Sequence, residues 1–353
     1  MASITLQDIG EMKLIQDVIL PLARRYDPTT AVGDDCTFIP TAGVHLAVTA
    51  DAGPAPLIMR LPGHESDYES AGWLAAVATI SDVASAGAQP LFLTNCIDAP
   101  PDLEVSHFQS YLEGYFRASA EFGFRNGGGD VRQGHTLAMR VFGVGSCEQP
   151  VPLGRGRAQP GDRLVGIGSM GEVMASFVTV LEDNDVPQER MRQLRFPRPQ
   201  IREMAILSRE GCLTAASDTS DGFLGAVQNI MVASQCGFSF TLNTGAISNA
   251  VQTAAEICNV SPWNIYFCWG DWSVAATVSA SLFPQFEQTC AKNQITWVEL
   301  GVVNAERGRA TAVLDGRDSC ELRLLRNENF RSLGYNSSVK NHIEHMLKTN
   351  IFI

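Results

Sequence analysis

The chain lacks the cysteine spacing that would staple a fold. Its nine cysteines (36, 96, 147, 212, 236, 258, 268, 290 and 320) are odd in number and include no C-x-x-C pair, which argues against a disulfide framework and against a zinc ribbon. They read as reduced core thiols. Cys236, just before Gly237-Phe238-Ser239-Phe240, sits where a cysteine acts as a small hydrophobe. No uncharged apolar run approaches the roughly 18–20 residues of a membrane span. No basic stretch precedes an apolar one at Met1-Ala2-Ser3-Ile4-Thr5, so no signal peptide is expected and the location expected is cytoplasmic. Positive charge is also scarce, with 26 Lys and Arg against 38 Asp and Glu and a net −12. A broad positive field for nucleic acid is excluded. A phosphorylated ligand would need local neutralisation by a metal or by a few placed arginines. There is no short-period repeat, low-complexity tract, G-x-S-x-G elbow, Walker A loop or protein-kinase signature. His342-Ile343-Glu344-His345 is not H-E-x-x-H and reads as part of a solvated C-terminal helix.

What is present is an ordinary globular composition, 45% hydrophobic and 18% charged over 353 residues. At roughly 100–200 residues per domain this suggests two domains. Each is large enough to form a core without staples. Turn residues cluster at Pro150-Val151-Pro152-Leu153-Gly154 and again at Pro160-Gly161-Asp162, which sets the expected boundary between domains 1–150 and 151–353. Residues 6–25 have helical apolar spacing through Leu14, Ile15, Val18, Ile19 and Leu22. Residues 44–49 form a predicted strand that delivers Asp51. Ser66-Asp67-Tyr68-Glu69 fits a capping box opening a helix rich in Ala and Ser to about Gly87. Further strands are predicted at 89–97 and 137–146, with a helix at 104–123. Beyond the boundary, strands near 163–167, 213–217, 237–242, 274–279 and 296–302 alternate with helices at 172–182, 200–210, 221–234, 247–258 and 282–292. The fold class is α/β or α+β.

The aspartates are unevenly placed. Asp34 and Asp35 follow Gly33, Asp51 ends a strand, Asp82 lies inside the small-residue helix, Asp130 closes Gly127-Gly128-Gly129, and Asp218 and Asp221 flank Thr219-Ser220 before a helix. Each alone is ordinary turn or cap chemistry. Asp82 is different, because a lone carboxylate over Ala75 and Ala78 is costly to bury without a partner. Hard carboxylate oxygens in a group suit Mg²⁺, which shares its ligands with substrate phosphates. Gly166-Ile167-Gly168-Ser169-Met170-Gly171 is a literal G-x-G-x-x-G. Its acidic followers fall at a helix end and not at a second strand, so a tight strand-to-helix turn is the expected reading. Trp263, Trp269 and Trp272 crowd one segment, as core or as a wall for a flat ligand.

In order and spacing, Gly33-Asp34-Asp35, Thr49-Ala50-Asp51, Ser81-Asp82-Val83-Ala84, Gly128-Gly129-Asp130, Arg155 with Pro160-Gly161-Asp162, and Asp218-Thr219-Ser220-Asp221-Gly222 resemble the thiamine-monophosphate kinase family. That family lies within the aminoimidazole-ribotide-synthetase-like (PurM-like) superfamily. The resemblance runs from Gly10-Glu11-Met12-Lys13-Leu14-Ile15 through Arg198-Pro199-Gln200-Ile201-Arg202 to Gly334-Tyr335. It implies a two-domain α/β (α+β) PurM-like fold. The N-terminal domain would contribute strands to an inter-subunit barrel in a homodimer. The implied chemistry is ATP- and Mg²⁺-dependent phosphorylation of a small-molecule acceptor in thiamine biosynthesis, with no nucleic-acid or membrane partner. Asp35, Thr49, Asp51, Asp82, Asp130, Asp218 and Asp221 would hold magnesium. Gly129, Asp130, Arg155 and Ser220 would contact the nucleotide, Asp130 and Asp221 would act at the reacting phosphates, and Asp271, Trp272 and Tyr335 would face the acceptor. The chain departs from the family at that acceptor. The G-V-H-F segment is replaced by Gly53-Pro54-Ala55-Pro56-Leu57, the first Glu of G-G-E-D-Y-E-L is Gly270, and the Lys of S-G-A-K-P-G-D is Gln159. Besides a kinase, a ligase or synthase that activates an amide, carboxyl or carbonyl oxygen fits these motifs, as does a non-catalytic scaffold.

Overall fold

The computed structural model describes residues 4–27, 33–182, 186–330 and 339–353. The N-terminal half is a five-stranded sheet of β1 (Thr37–Pro40), β2 (His45–Ala52), β3 (Gln89–Ala99), β4 (Arg125–Gln133) and β5 (Ala138–Cys147), in the order β1-β2-β5-β3-β4. All its pairings are antiparallel except β3 with β4. Period-two alternation makes it one-sided. Met139 and Val141 are buried under helices, while the alternating Arg140 and Phe142 are exposed. The face bearing Phe142 also shows Phe92 at 40% exposure, an apolar surface that this chain alone leaves open.

Two helices, α3 (Tyr68–Ser85) and α4 (Val105–Glu121) by position in the chain, cover the other face. The small residues of α3 bring the pair close: a Cβ on Gly72 would lie 1.7 Å from the Tyr111 carbonyl oxygen, and one on Gly114 would lie 1.9 Å from that of Glu69. The cap is one residue later than the Ser66 signature suggests, because the Asp67 carboxylate accepts from the Ser70 N–H at 3.2 Å. The triglycine segment, read as a turn, lies inside β4.

The predicted helix over 6–25 is α1 (Leu6–Lys13) and α2 (Leu20–Tyr26) joined by a wider turn, with Gly10 at φ 74° interrupting α1. Leu6, Val18, Ile19 and Leu22 remain exposed, since no other element of the chain reaches that stripe among the described residues.

The C-terminal sheet has seven strands: β6 (Arg163–Ile167), β7 (Leu213–Asp218), β8 (Gly237–Leu242), β9 (Val274–Val278), β10 (Trp297–Asn304), β11 (Ala310–Leu314) and β12 (Cys320–Glu321). Their order is β12-β11-β8-β10-β6-β9-β7. Helices α5 (Glu172–Leu181), α6 (Gln188–Arg195), α7 (Ile201–Arg209), α8 (Phe223–Ser234), α9 (Asn249–Cys258), α10 (Pro262–Tyr266) and α11 (Phe283–Asn293) follow in chain order. One core joins α5, α8 and α9 to one face of the sheet through Leu164, Phe238, Phe240 and Ala275. Another joins α7 and α11 to the opposite face through Val165, Ile167, Ala216 and Val274. Helix α12 (Val339–Lys348) buries Ile343, Met346 and Leu347, so only its other face is solvated. No helix among the described residues is long and apolar enough to cross a membrane. This is the expected two-domain α/β fold with mixed sheets.

Candidate active site

The ends of α3 and β7 converge at the junction of the two sheets. Asp82 comes from α3, Asp218 from the end of β7, and Asp35 from the loop entering β1. One carboxylate oxygen from each lies within 4.8 Å of the other two. The group is arranged by neighbours. Ser85 Oγ donates to Asp35 Oδ2 at 2.6 Å, Thr49 Oγ1 to Asp82 Oδ2 at 2.6 Å, and Ser220 Oγ to Asp218 Oδ1 at 3.0 Å. Arg155 closes it, with its guanidinium on Asp35 and on the Gly33 carbonyl, and its backbone N–H on Asp34 at 2.6 Å.

One cation does not balance three buried carboxylates. Burial, and then the neighbouring Asp35 charge, push Asp218 up to about 7 against the pull of Arg155. Burial, Asp218 and Asp35 drive Asp82 well above the usual carboxylate range. Asp218 Oδ2 is buried without a hydrogen-bond partner among the described residues. A close set of buried, oxygen-only ligands carrying surplus negative charge and an orphaned oxygen suits a hard divalent cation. The residues therefore fit Mg²⁺.

A second acidic group lies beyond it. Burial pushes Asp51 up to about 6, with Asp221 and Glu11 adding to the shift. Burial also raises Asp221, opposed by its ion pair with Arg326. Arg326 is held in turn by Asn229 Oδ1 at 3.0 Å. Glu11 accepts from the backbone and side-chain N–H groups of Asn329 at 3.0 and 3.1 Å, which fixes α1 to the segment after β12. Glu11, Asp51, Ser220 and Asp221 line a cleft of about 480 Å³ between the domains, together with Leu57, Leu74, Trp269 and Trp272.

Residues 33–147 match the family described as AIR synthase related protein, N-terminal domain, and residues 159–313 match its C-terminal domain. The chain belongs to the AIR synthase related family. Its relatives include thiamine-monophosphate kinases. It is 28% identical over 249 residues to the thiamine-monophosphate kinase of Synechococcus elongatus, covering 67% of this chain and 73% of that one. It is 25% identical to the enzyme of Aquifex aeolicus, covering 73% and 81%. Its fold matches the structure of AaThiL complexed with AMPPCP and TMP, with TM-score 0.76 and 20% identity over 93% of this chain and 100% of that one.

In this AIR synthase related protein Asp35, Thr49, Asp82, Arg155, Asp218 and Ser220 come together, and Asp51 and Asp221 line the adjoining cleft. Gly129 and Asp130 do not join them within one chain. Across the sheet Asp130 aligns with Cys96, Arg140 and Ala52, so it is three strands away from β2 and faces the open side. Asp51 aligns with buried Val141 on the helix-covered side. Asp271 is occupied elsewhere. Its carboxylate accepts from the N–H groups of Gly171, Glu172 and Val173 at 2.8, 3.1 and 3.2 Å, and burial pushes it up to about 7. That contact also settles the G-x-G-x-x-G segment. The start of α5, where a dinucleotide pyrophosphate would bind, is filled by a side chain, and a Cβ on Gly171 would lie 2.8 Å from the Ile265 carbonyl oxygen. Trp272 is buried in the cleft wall, and Tyr335 lies outside the described residues. Glu11, Ser85 and Arg326 were not singled out from sequence. Glu11 carries a usable signal within Gly10-Glu11-Met12-Lys13-Leu14-Ile15. Arg326 carries none, because only the fold brings it to Asp221.

Proposed function

We propose that this protein is a Mg²⁺-dependent ATP phosphotransferase acting on thiamine phosphate, which it converts to thiamine diphosphate with release of ADP. The observation that carries this reading is the Asp35–Asp82–Asp218 group beside an interdomain cleft. Bound magnesium supplies charge neutralisation for the phosphates and for the transferring phosphoryl group. Asp35, Thr49, Asp51, Asp82, Asp218 and Asp221 would hold it. Arg155 and Ser220 are placed for the nucleotide phosphates; Arg155 Nε is buried with no hydrogen-bond partner among the described residues. The acceptor enters between the tryptophans and Leu57, which exclude water. One of its phosphate oxygens forms a bond to the γ-phosphorus as the bond to the β,γ-bridging oxygen breaks, and that electron pair leaves with ADP. An anionic phosphate nucleophile needs no general base, so positioning and charge neutralisation suffice.

The working unit in this reading is a homodimer, with domains 1–150 and 151–353 in each copy. The open face with Phe92 and Phe142 supports it. So do the free edge of β4 and the edge of β2 over residues 49–52, beyond its pairing with β1. Closing two sheets into one barrel sets β4 of one copy beside residues 49–52 of the other. Gly129 and Asp130 then serve the nucleotide and metal of the neighbouring copy, at the edge of its β2. In the absence of an acceptor, titration calorimetry should show AMPPCP binding with Mg²⁺ and a loss of at least about tenfold in EDTA. No binding in either condition would leave only a scaffold role.

A further inference from the structure

The acceptor cleft is lined by the carboxylates of Glu11, Asp51 and Asp221 and by Trp269 and Trp272, and Arg60 is the one basic side chain among the described residues that line it. Arg60 closes a single helical turn, Leu57–Arg60. Leu57, Ile58 and the following Leu61 are buried in the C-terminal core, so this loop of the N-terminal half is anchored on both sides of the arginine. Arg60 itself is exposed and carries no ion pair or hydrogen bond among the described residues. By contrast, Arg155, Arg195 and Arg326, three arginines between the two halves, are each paired with an aspartate. A charged group on a rigid turn, facing a cavity and left unpaired, is preorganised for a ligand. A guanidinium matches the oxygens of a phosphate with two parallel N–H donors.

We propose that Arg60 binds the phosphate group of the acceptor and makes the cleft selective for a phosphorylated compound over its dephosphorylated form. The inference rests on the phosphotransferase reading but names a residue where the chain departs from its relatives, in the loop that replaces G-V-H-F. The carboxylates of the lining repel a free anion when metal is absent, and Arg60 is the one cationic side chain such an anion meets among the described lining residues. The walls also report occupancy, because Trp269 and Trp272 border the cavity.

The test titrates inorganic phosphate into the full-length protein in EDTA and follows tryptophan emission. Wild type should respond saturably, Arg60→Ala should weaken binding at least about tenfold, and Arg60→Lys should recover part of it, since a lysine keeps charge without the bidentate fork. Magnesium-dependent AMPPCP affinity should be unchanged in both variants, which shows that they fold. In turnover, Arg60→Ala should raise the KM for thiamine monophosphate at least about tenfold and leave the KM for ATP unaltered. A phosphate response that is absent in wild type, or equal in Arg60→Ala, overturns the proposal. Arg60-dependent phosphate binding by a protein that does not phosphorylate thiamine monophosphate upholds Arg60 and removes thiamine phosphate as the acceptor.

Discussion

Asp82→Asn should abolish turnover, by about a thousandfold or more, and at the same time make the metal-free protein more stable. The two effects have one cause. Asp82 contributes charge to a group that neutralises phosphate only when metal is bound, and removing an electrostatic element of a transition-state site typically costs two to three orders of magnitude or more. Without metal the same charge is a liability, opposed by burial and by the neighbouring charges of Asp218 and Asp35. The amide keeps the shape and can still meet the Thr49 hydroxyl, which now donates to Asp82 Oδ2 at 2.6 Å. The pH dependence has a defined sign. Burial pushes Asp51 to about 6 and Asp218 to about 7, both above the ordinary aspartate value of 3.8. Between about pH 4 and 7 the folded state therefore holds protons that the unfolded state has released, and metal-free stability falls as pH rises through that window. Thermal melts in EDTA should show a lower Tm at pH 8 than at pH 5.5, a smaller drop for Asp82→Asn, and recovery of wild type by Mg²⁺ at pH 8. Near-normal activity in the variant, or a metal-free melt that rises with pH, would remove Asp82 from the proposed metal group.

The second large effect concerns Asp130. Asp130→Asn and Asp82→Asn should each be inactive alone, yet an equimolar mixture allowed to exchange subunits should recover about a quarter of wild-type activity. In a two-fold dimer each site pairs Asp82 of one copy with Asp130 of the other. A mixed dimer then has one site with both defects and one with neither, and mixed dimers make up about half of the population. If Asp130 served its own chain, each site of the mixed dimer would carry one defect and activity would stay near zero. The register already separates Asp130 from Asp51 by three strands and by the face of the sheet.

Local chemistry was legible in the sequence wherever one segment dictated it. The small residues of α3 announced close packing, and Gly72 against Tyr111 is where it occurs. Asp82 among alanines announced an ion-binding carboxylate, and it lies with Asp35 and Asp218. Other features needed the third dimension. Nothing in the chain near Asp271 indicated that it would be claimed by the start of α5, about a hundred residues earlier in sequence. Three consecutive glycines read as a turn because their flexibility is local. They lie inside β4 instead, at a register shift after which Gly129 pairs with Asn95, where a Cβ on Gly129 would be only 2.3 Å from the Asn95 carbonyl oxygen. The exposed stripe of Val18, Ile19 and Leu22 has proper helical spacing. Spacing predicts a buried face but does not say which molecule buries it.

The most direct measurement incubates the full-length protein with ATP, Mg²⁺ and thiamine monophosphate and follows thiamine diphosphate and ADP together. The account predicts both products in equal amounts, dependent on Mg²⁺. ADP release without thiamine diphosphate, appearing only when an amine- or acid-bearing metabolite is added, would contradict it in favour of a ligase or synthase.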